Sequence, residues 1–343
     1  MNDIIIYNDE SMIIEFVDYQ QILSYLESEK NIFIILDSNV EQLYFKDLLD
    51  TFNTHVVNSH ESEKTLKSYR QIIDKLILCG TDTDTRIISI GGGIVSDIAG
   101  YVAATYKRGL KLTLIPTTLL AMCDAAIGGK NGLNHNHIKN LVGTVYFPDR
   151  IFINPSFINS LSDTQMVEGI AEVFKISLVY NDKLREILSG TDISSIDFDK
   201  LRVIIKESIQ AKMKIVVEDP NDKGLRRILN FGHTFAHAIE SVYGLSHGKA
   251  VAFGIKIASF ISMRYELIDN VSYDEIINFL RENNLDICDN FNADRLIEFI
   301  KHDKKKSKYG IKEILLSDVT KYKFVNIEFD DYRKYLNDLH KHS

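Results

Sequence analysis

Residues 86–100, RIISIGGGIVSDIAG, decide how the chain folds. The first five, Arg86–Ile90, are mostly β-branched and apolar, as in a strand buried on both faces. Gly91, Gly92 and Gly93 follow, and then a run that opens a helix. A glycine turn between strand and helix lets the backbone approach a ligand, and the first amides of the helix favour a phosphate or pyrophosphate. The spacing is not the GxGxxG fingerprint, and a glycine turn alone is weak, so its neighbours must be read with it.

Working outward, short β-rich runs stand at Ile4–Tyr7, Ile32–Leu36, His55–Val57, Lys111–Ile115 and Ile151–Ile153. Amphipathic stretches such as Val40–Phe52 and Leu66–Leu78 lie between them. This alternation predicts an α/β fold with a Rossmann-like, doubly wound parallel sheet over residues 1–157. From Asp163 the pattern turns helical, over Gln165–Tyr180, Leu201–Val217, Ile228–Tyr243, Lys249–Leu267, Tyr273–Asn283 and Ala293–Ile300. A β-like pair near Glu313–Leu316 and Tyr322–Val325 interrupts it. Residues 158–343 are therefore expected to form a second, mostly α-helical domain. With 4 prolines and no low-complexity linker, the halves are expected to pack directly, with the site in the cleft between them.

Composition narrows the function classes. Apolar residues at 45% and charged residues at 26% are ordinary globular values. The N-terminal MNDIIIYNDESM lacks a basic n-region, and no window has the apolar length to span a bilayer, so a soluble cytoplasmic protein is expected. Cys79, Cys123 and Cys288 form no CxxC pair and read as reduced thiols. A net charge of −8 argues against a nucleic-acid surface while allowing an anionic substrate in a locally basic pocket.

Two other strand ends join the glycine turn. Strand 111–115 runs into Pro116-Thr117-Thr118, and strand 32–36 into Asp37-Ser38-Asn39, whose side chains suit a ribose or adenine edge. Open α/β sheets bind ligands at such ends. Taken alone, each is more often an ordinary turn than a site; three on one sheet reverse that and favour a site. Next, CDAAIGGKNG (residues 123–132) and Lys139-Asn140 set ammonium and amide groups beside glycines, which suits a phosphate. Solvated lysines are the plain alternative.

In the helical half, LRRILNFGHTFAHAIE (residues 225–240) reads as a helix bringing Asn230, His233 and His237 within about two turns, the two histidines four apart. After the Tyr243-Gly244 break, His247 can turn back toward them. Two histidines and a carboxylate make a metal site with a position open for water or substrate. Glu172, among Ile170, Ala171, Val173 and Phe174, is the best carboxylate, because a lone buried Glu is costly without a cation. A surface ion pair with Lys175 is the simpler alternative. Lys212, Arg226 and the run Asp303–Lys306 supply positive charge, although a lysine run is more often a solvated face.

Together, Glu61-x-x-Lys64, GGGIVSDIAG, VAATYKRG, PTTLLA, the Asp124-to-Lys130 spacing, Lys139-Asn140-Leu-Val-Gly, AEVFK, Lys212, GLRRILNFGHTFAHAIE, HG and DKK resemble the 3-dehydroquinate synthases, sugar-phosphate cyclases of the shikimate pathway. The resemblance runs from about Asp37 to Lys305. It implies a lyase that uses NAD without net consumption on 3-deoxy-D-arabino-heptulosonate 7-phosphate. The C5 hydroxyl is oxidised, phosphate is eliminated, the ketone is reduced again and an intramolecular aldol closes the ring. The departing phosphate can itself take up the C6 proton, so no dedicated base is demanded.

The resemblance also implies zinc or cobalt on Glu172, His233 and His247. It implies NAD on Asp37, Asn39, Glu61, Lys64, Gly92, Gly93, Asp97, Thr117, Thr118 and Lys139. The substrate phosphate falls to Lys130, Asn140, Asn230, His237 and Arg108 from a second subunit, hence a homodimer. Lys175, Lys212, Arg226 and Lys304 would hold hydroxyls and carboxylate, and Asp124 would lie beside the reacting hydroxyl. The chain departs from the family pattern at Ser96, Asn131, Ser162, Gln165 and Lys249, which bears on the exact substrate. A cyclase of secondary metabolism is the nearest rival. A metal-dependent polyol dehydrogenase shares the GGG-x-x-x-D turn but needs no phosphate pocket, and a noncatalytic paralogue would not need the full metal and anion set.

Overall fold

The computed structural model describes residues 4–7, 12–136, 138–189, 191, 193, 196–286, 291–303, 310–318 and 320–339. Cys288 and Lys304, with the rest of the DKK motif after Asp303, lie outside the described residues. The chain divides into two units, Met1–Leu161 and Ser162–Ser343.

In the first unit the strands are β1 (Ile4–Tyr7), β2 (Met12–Phe16), β3 (Ile32–Asp37), β4 (Thr54–Val57), β5 (Arg86–Gly91), β6 (Leu112–Pro116), β7 (Lys130–His135), β8 (Ile138–Val145) and β9 (Arg150–Ile153). Its helices are α1 (Tyr19–Ser28), α2 (Ser38–Tyr44), α3 (Leu48–Thr51), α4 (Leu66–Leu78) and α5 (Gly93–Thr105). Seven strands form one sheet in the order β1-β2-β9-β6-β5-β3-β4. All neighbours are parallel except the edge pair β1 and β2. β3 is buried at every residue, as its unbroken apolar run requires. From β3 the chain moves outward to β4, then returns to the other side of β3 for β5 and continues to β6. The order therefore reverses between β3 and β5, and their carboxyl ends, Asp37 and Gly91, border a switch point of the kind that binds ligands.

The structure departs from the sequence reading in three places here. β2, with alternating burial, was not expected, and it pairs antiparallel with β1. The stretch Val40–Phe52 is two short helices, α2 and α3. The segment from Cys123 to Asn140 is more than a glycine-rich turn: one π-helical turn (Ala121–Ala125) leads into the hairpin β7–β8.

The second unit contains α6 (Asp163–Tyr180), α7 (Asp182–Leu188), α8 (Phe198–Glu218), α9 (His233–Tyr243), α10 (His247–Arg264), α11 (Asn270–Glu282), α12 (Ala293–Asp303), the antiparallel hairpin β10 (Gly310–Asp318) and β11 (Lys321–Glu328), and α13 (Phe329–Leu339). Ser162 and Gln165 close a capping box at the start of α6, satisfying backbone donors that the first turn leaves over. α10 crosses α6 closely: a Cβ on Gly248 would meet the Glu168 backbone at 2.4 Å.

The expected helix Ile228–Tyr243 is not continuous. Leu225–Asn230 is a 3-10 segment, Phe231 is non-helical, and Gly232 takes φ +75 before α9 begins at His233. A Cβ on Gly232 would stand 2.7 Å from the Gly254 and Ile255 backbone. Only glycine meets both that left-handed conformation and that approach to α10. Asn230 therefore does not share a helix with His233 and His237.

Candidate functional site

The helices of the second unit bring three ligand-type side chains together. Glu172 sits in the middle of α6 and is 1% exposed. His233 and His247 are the first residues of α9 and α10. The His247 Nε2 lies 3.1 Å from Glu172 Oε1, and the His233 Nε2 lies 3.4 Å from the same oxygen. One ligand atom from each residue falls within 4.8 Å of the others. Two imidazole nitrogens and a carboxylate facing one point are a donor set suited to a divalent metal, and they leave a position open. The His233 Nδ1 stands 3.3 Å from the Phe231 carbonyl oxygen, which fixes Nδ1–H as donor and frees Nε2.

Electrostatics favour the charged forms of Glu172 and His247. Burial alone raises the Glu172 carboxyl, but the Lys175 ammonium and His233 outweigh it and hold the group well below the usual carboxylate range. Lys175 pairs with Glu172 Oε2, so the ion pair read as a surface feature is instead buried. Burial lowers the His247 imidazole, but Glu172 and Glu240 overcome that and push it up to about 10. His237 is exposed one turn along α9, its ring centroid 5.6 Å from that of His233. Lys212 and Arg226 are buried, and the Arg226 Nη1 donates to the Pro220 carbonyl at 3.1 Å. Asn230 is exposed on the 3-10 segment.

In the first unit the sheet end gathers most of the expected nucleotide residues. Gly92 is the N-cap of α5 and makes no side-chain cap, so helix amides face outward from the turn. A Cβ on Gly91 would stand 2.9 Å from the Asp37 Cβ, and one on Gly92 would stand 3.1 Å from Thr118. Glycine is thus what lets these three strand ends meet. Asp37 accepts from the Asn39 amide at 2.8 Å and from Ser59 Oγ at 2.9 Å, and the Asn39 side chain donates to Ser59 at 2.9 Å. Ser59 escaped the sequence reading; its one signal is its place just beyond β4, the neighbour of β3. The Thr117 hydroxyl is buried without a hydrogen-bond partner, an orphan at the edge of the glycine turn.

Lys64, 5% exposed, pairs with Asp97 on α5 and donates to Asn140 Oδ1. Asn140 thus stands with Lys64, although the resemblance assigned them to different ligands. Glu61 accepts from the Asn134 side chain at 2.7 Å. Lys130 and Lys139 are exposed on β7 and β8, and Asp124 is half-buried in the π-helical turn. Arg108 is exposed in a turn where Lys107, Arg108 and Gly109 all have positive φ. Of the departures, Asn131 is buried and donates to the Gly129 and Tyr146 carbonyls at 2.9 and 3.1 Å, pinning the hairpin beside Lys130. Ser96 is buried in α5, and Lys249 is exposed.

The fold, an open parallel sheet with a glycine turn at its switch point followed by a helical unit, is shared with a solved inosose synthase and, at lower similarity, with solved glycerol dehydrogenases. The crystal structure of 2-deoxy-scyllo-inosose synthase complexed with carbaglucose-6-phosphate, NAD+ and Co2+ matches with a TM-score of 0.87 at 25% identity, covering 98% of this chain and 100% of that one. A 3-dehydroquinate synthase of Streptococcus agalactiae is 38% identical over 92% of each chain. That of Thermoanaerobacter pseudethanolicus is 34% identical over 89% of each. The families described as 3-dehydroquinate synthase N-terminal and C-terminal match residues 54–168 and 169–306. The chain belongs to the 3-dehydroquinate synthase family, and it is an enzyme of that lyase class.

Proposed function

We propose that the chain converts 3-deoxy-D-arabino-heptulosonate 7-phosphate to 3-dehydroquinate and phosphate. The observation that carries this reading is the convergence of Glu172, His233 and His247. Their donor chemistry fits a divalent metal, zinc or cobalt, and the uncapped α5 amides, the glycine contacts and the orphaned Thr117 hydroxyl fit NAD. When bound, the metal supplies Lewis acidity and NAD a reversible hydride acceptor. The related inosose synthase, solved with both kinds of group, supports the pair.

The chain's own residues do the rest. Asp37 and Asn39 hold the ribose of NAD, Gly92 and Gly93 its pyrophosphate, and Thr118, Glu61, Lys64, Asp97 and Lys139 the remainder. Lys130, Asn140, Asn230 and His237 bind the substrate phosphate and keep its leaving charge neutralised. Lys175, Lys212, Arg226 and Lys304 hold hydroxyls and the carboxylate, and Asp124 accepts a hydrogen bond from the reacting hydroxyl. Phosphate takes the C6 proton as it departs. Arg108 reaches the phosphate of a second subunit in a homodimer, a role supported by its exposure on a sharply turned loop. The thiols of Cys79 and Cys123 support a reducing, cytoplasmic setting. The higher identity to relatives named 3-dehydroquinate synthase favours the shikimate substrate over an inosose-type one.

Two variants test the residue assignment. Lys130→Ala should lose most turnover while keeping its metal, and His233→Ala should lose both. An active, metal-free His233→Ala protein would overturn the site.

A further inference from the structure

We propose that Glu240 is a positioning residue for the metal centre, its carboxylate fixing the Nδ1–H tautomer and ring orientation of His247 so that Nε2 is the ligand atom. The inference rests on the metal reading above.

Glu240 lies on α9 seven residues after His233 and three after His237, so the three side chains share one helix face. α9 ends at Gly244, whose left-handed conformation reverses the chain and whose amide donates to the Glu240 carbonyl at 3.0 Å. Three residues later His247 opens α10. Its ring lies between two carboxylates, with Nε2 3.1 Å from Glu172 Oε1 and Nδ1 4.0 Å from Glu240 Oε2. The two imidazoles of the cluster are thus built alike. Each turns Nε2 to Glu172 and Nδ1 to an outer acceptor, the Phe231 carbonyl for His233 and the Glu240 carboxylate for His247. An acceptor on the far nitrogen fixes which nitrogen carries the proton and raises the basicity of the other. The 4.0 Å separation is longer than a hydrogen bond, and such contacts often tighten once the ligand is in place. Glu240 is 17% exposed, so its negative charge is only partly screened by water.

The test is zinc affinity of metal-free protein, measured by chelator competition for the parent, Glu240→Gln and Glu240→Ala, with the visible spectrum of the cobalt-loaded forms. Glu240→Ala should bind zinc roughly 10–100-fold more weakly and shift the cobalt bands. Glu240→Gln, which keeps an acceptor oxygen but no charge, should fall between the parent and Glu240→Ala. The melting temperature of the metal-free forms should stay close to the parent's. Affinity within about twofold of the parent for Glu240→Gln, with unchanged cobalt bands, overturns the proposal even if Glu240→Ala does not fold. Zinc binding by the parent, absent from His233→Ala and unchanged in both Glu240 variants, would sink this inference alone. A parent that binds no more zinc than His233→Ala would sink the metal reading with it.

Discussion

Glu172 and Lys175 form an ion pair with side chains only 1% and 2% exposed, one turn apart on α6. Removing one member of a buried pair costs about 3–5 kcal/mol where the remaining charge is left uncompensated, and here the His247 imidazole, pushed up to about 10 and 3.1 Å from Glu172, keeps part of the compensation. Lys175→Met should therefore destabilise the metal-free protein, by less than that full cost. A divalent cation at Glu172 would replace the missing positive charge, so zinc should restore part of the loss. Urea unfolding with and without zinc checks this, and a loss of the same size under both conditions would contradict it.

Asn131 and Gly100 interlock in the first unit. A Cβ on Gly100 would fall 1.8 Å from the Asn131 Oδ1, while the Asn131 amide holds the Gly129 and Tyr146 carbonyls. Gly100→Ala should lower stability by about 1–3 kcal/mol through overpacking. Asn131→Ser in the same chain should recover part of it, because the smaller side chain vacates the space. Thermal unfolding of the singles and the double decides; purely additive losses would show that the two residues are not coupled.

What the sequence disclosed follows from how strongly each segment is patterned. β3 is an unbroken apolar run ending in Asp37, and β5 is broken only by Ser89 before its glycines, so both were legible. β7 and β8 were not, because their glycines and asparagines read as turn residues. α13 was missed through its charge, yet buried Phe329, Tyr332, Leu336 and Leu339 stand at helical spacing within it. The gathering of Glu172, His233 and His247 was partly legible, because histidines are rare here and Glu172 stands in an apolar stretch, while the choice of His247 over His237 came from the family resemblance. The break at Gly232 was hidden, since it arises from contact with Gly254, a residue distant in sequence.

Ser96 Oγ is buried in α5 without a hydrogen-bond partner. Its removal should relieve an unsatisfied group and add helix propensity, so Ser96→Ala should gain roughly 1 kcal/mol. A lower urea midpoint for Ser96→Ala would contradict this.

His55 gives the first unit a pH dependence. Burial pushes its imidazole below the ordinary value, and the Lys75 ammonium adds to that. The folded state favours neutral His55, so the unfolded chain takes up the proton first. Stability from this group is complete above roughly pH 6.5 and falls as the pH drops through the folded value. His55→Gln should lose part of that acid-side slope in urea unfolding, and an unchanged slope would remove His55 from the account.

The most direct test is phosphate release from 3-deoxy-D-arabino-heptulosonate 7-phosphate by the purified protein with NAD and zinc, following NADH and the carbocyclic product in the same reaction. Phosphate and 3-dehydroquinate formed in equal amounts, with no build-up of NADH, is the expected result. NADH accumulating without phosphate release, or no release from a metal- and NAD-loaded protein, would contradict the assignment.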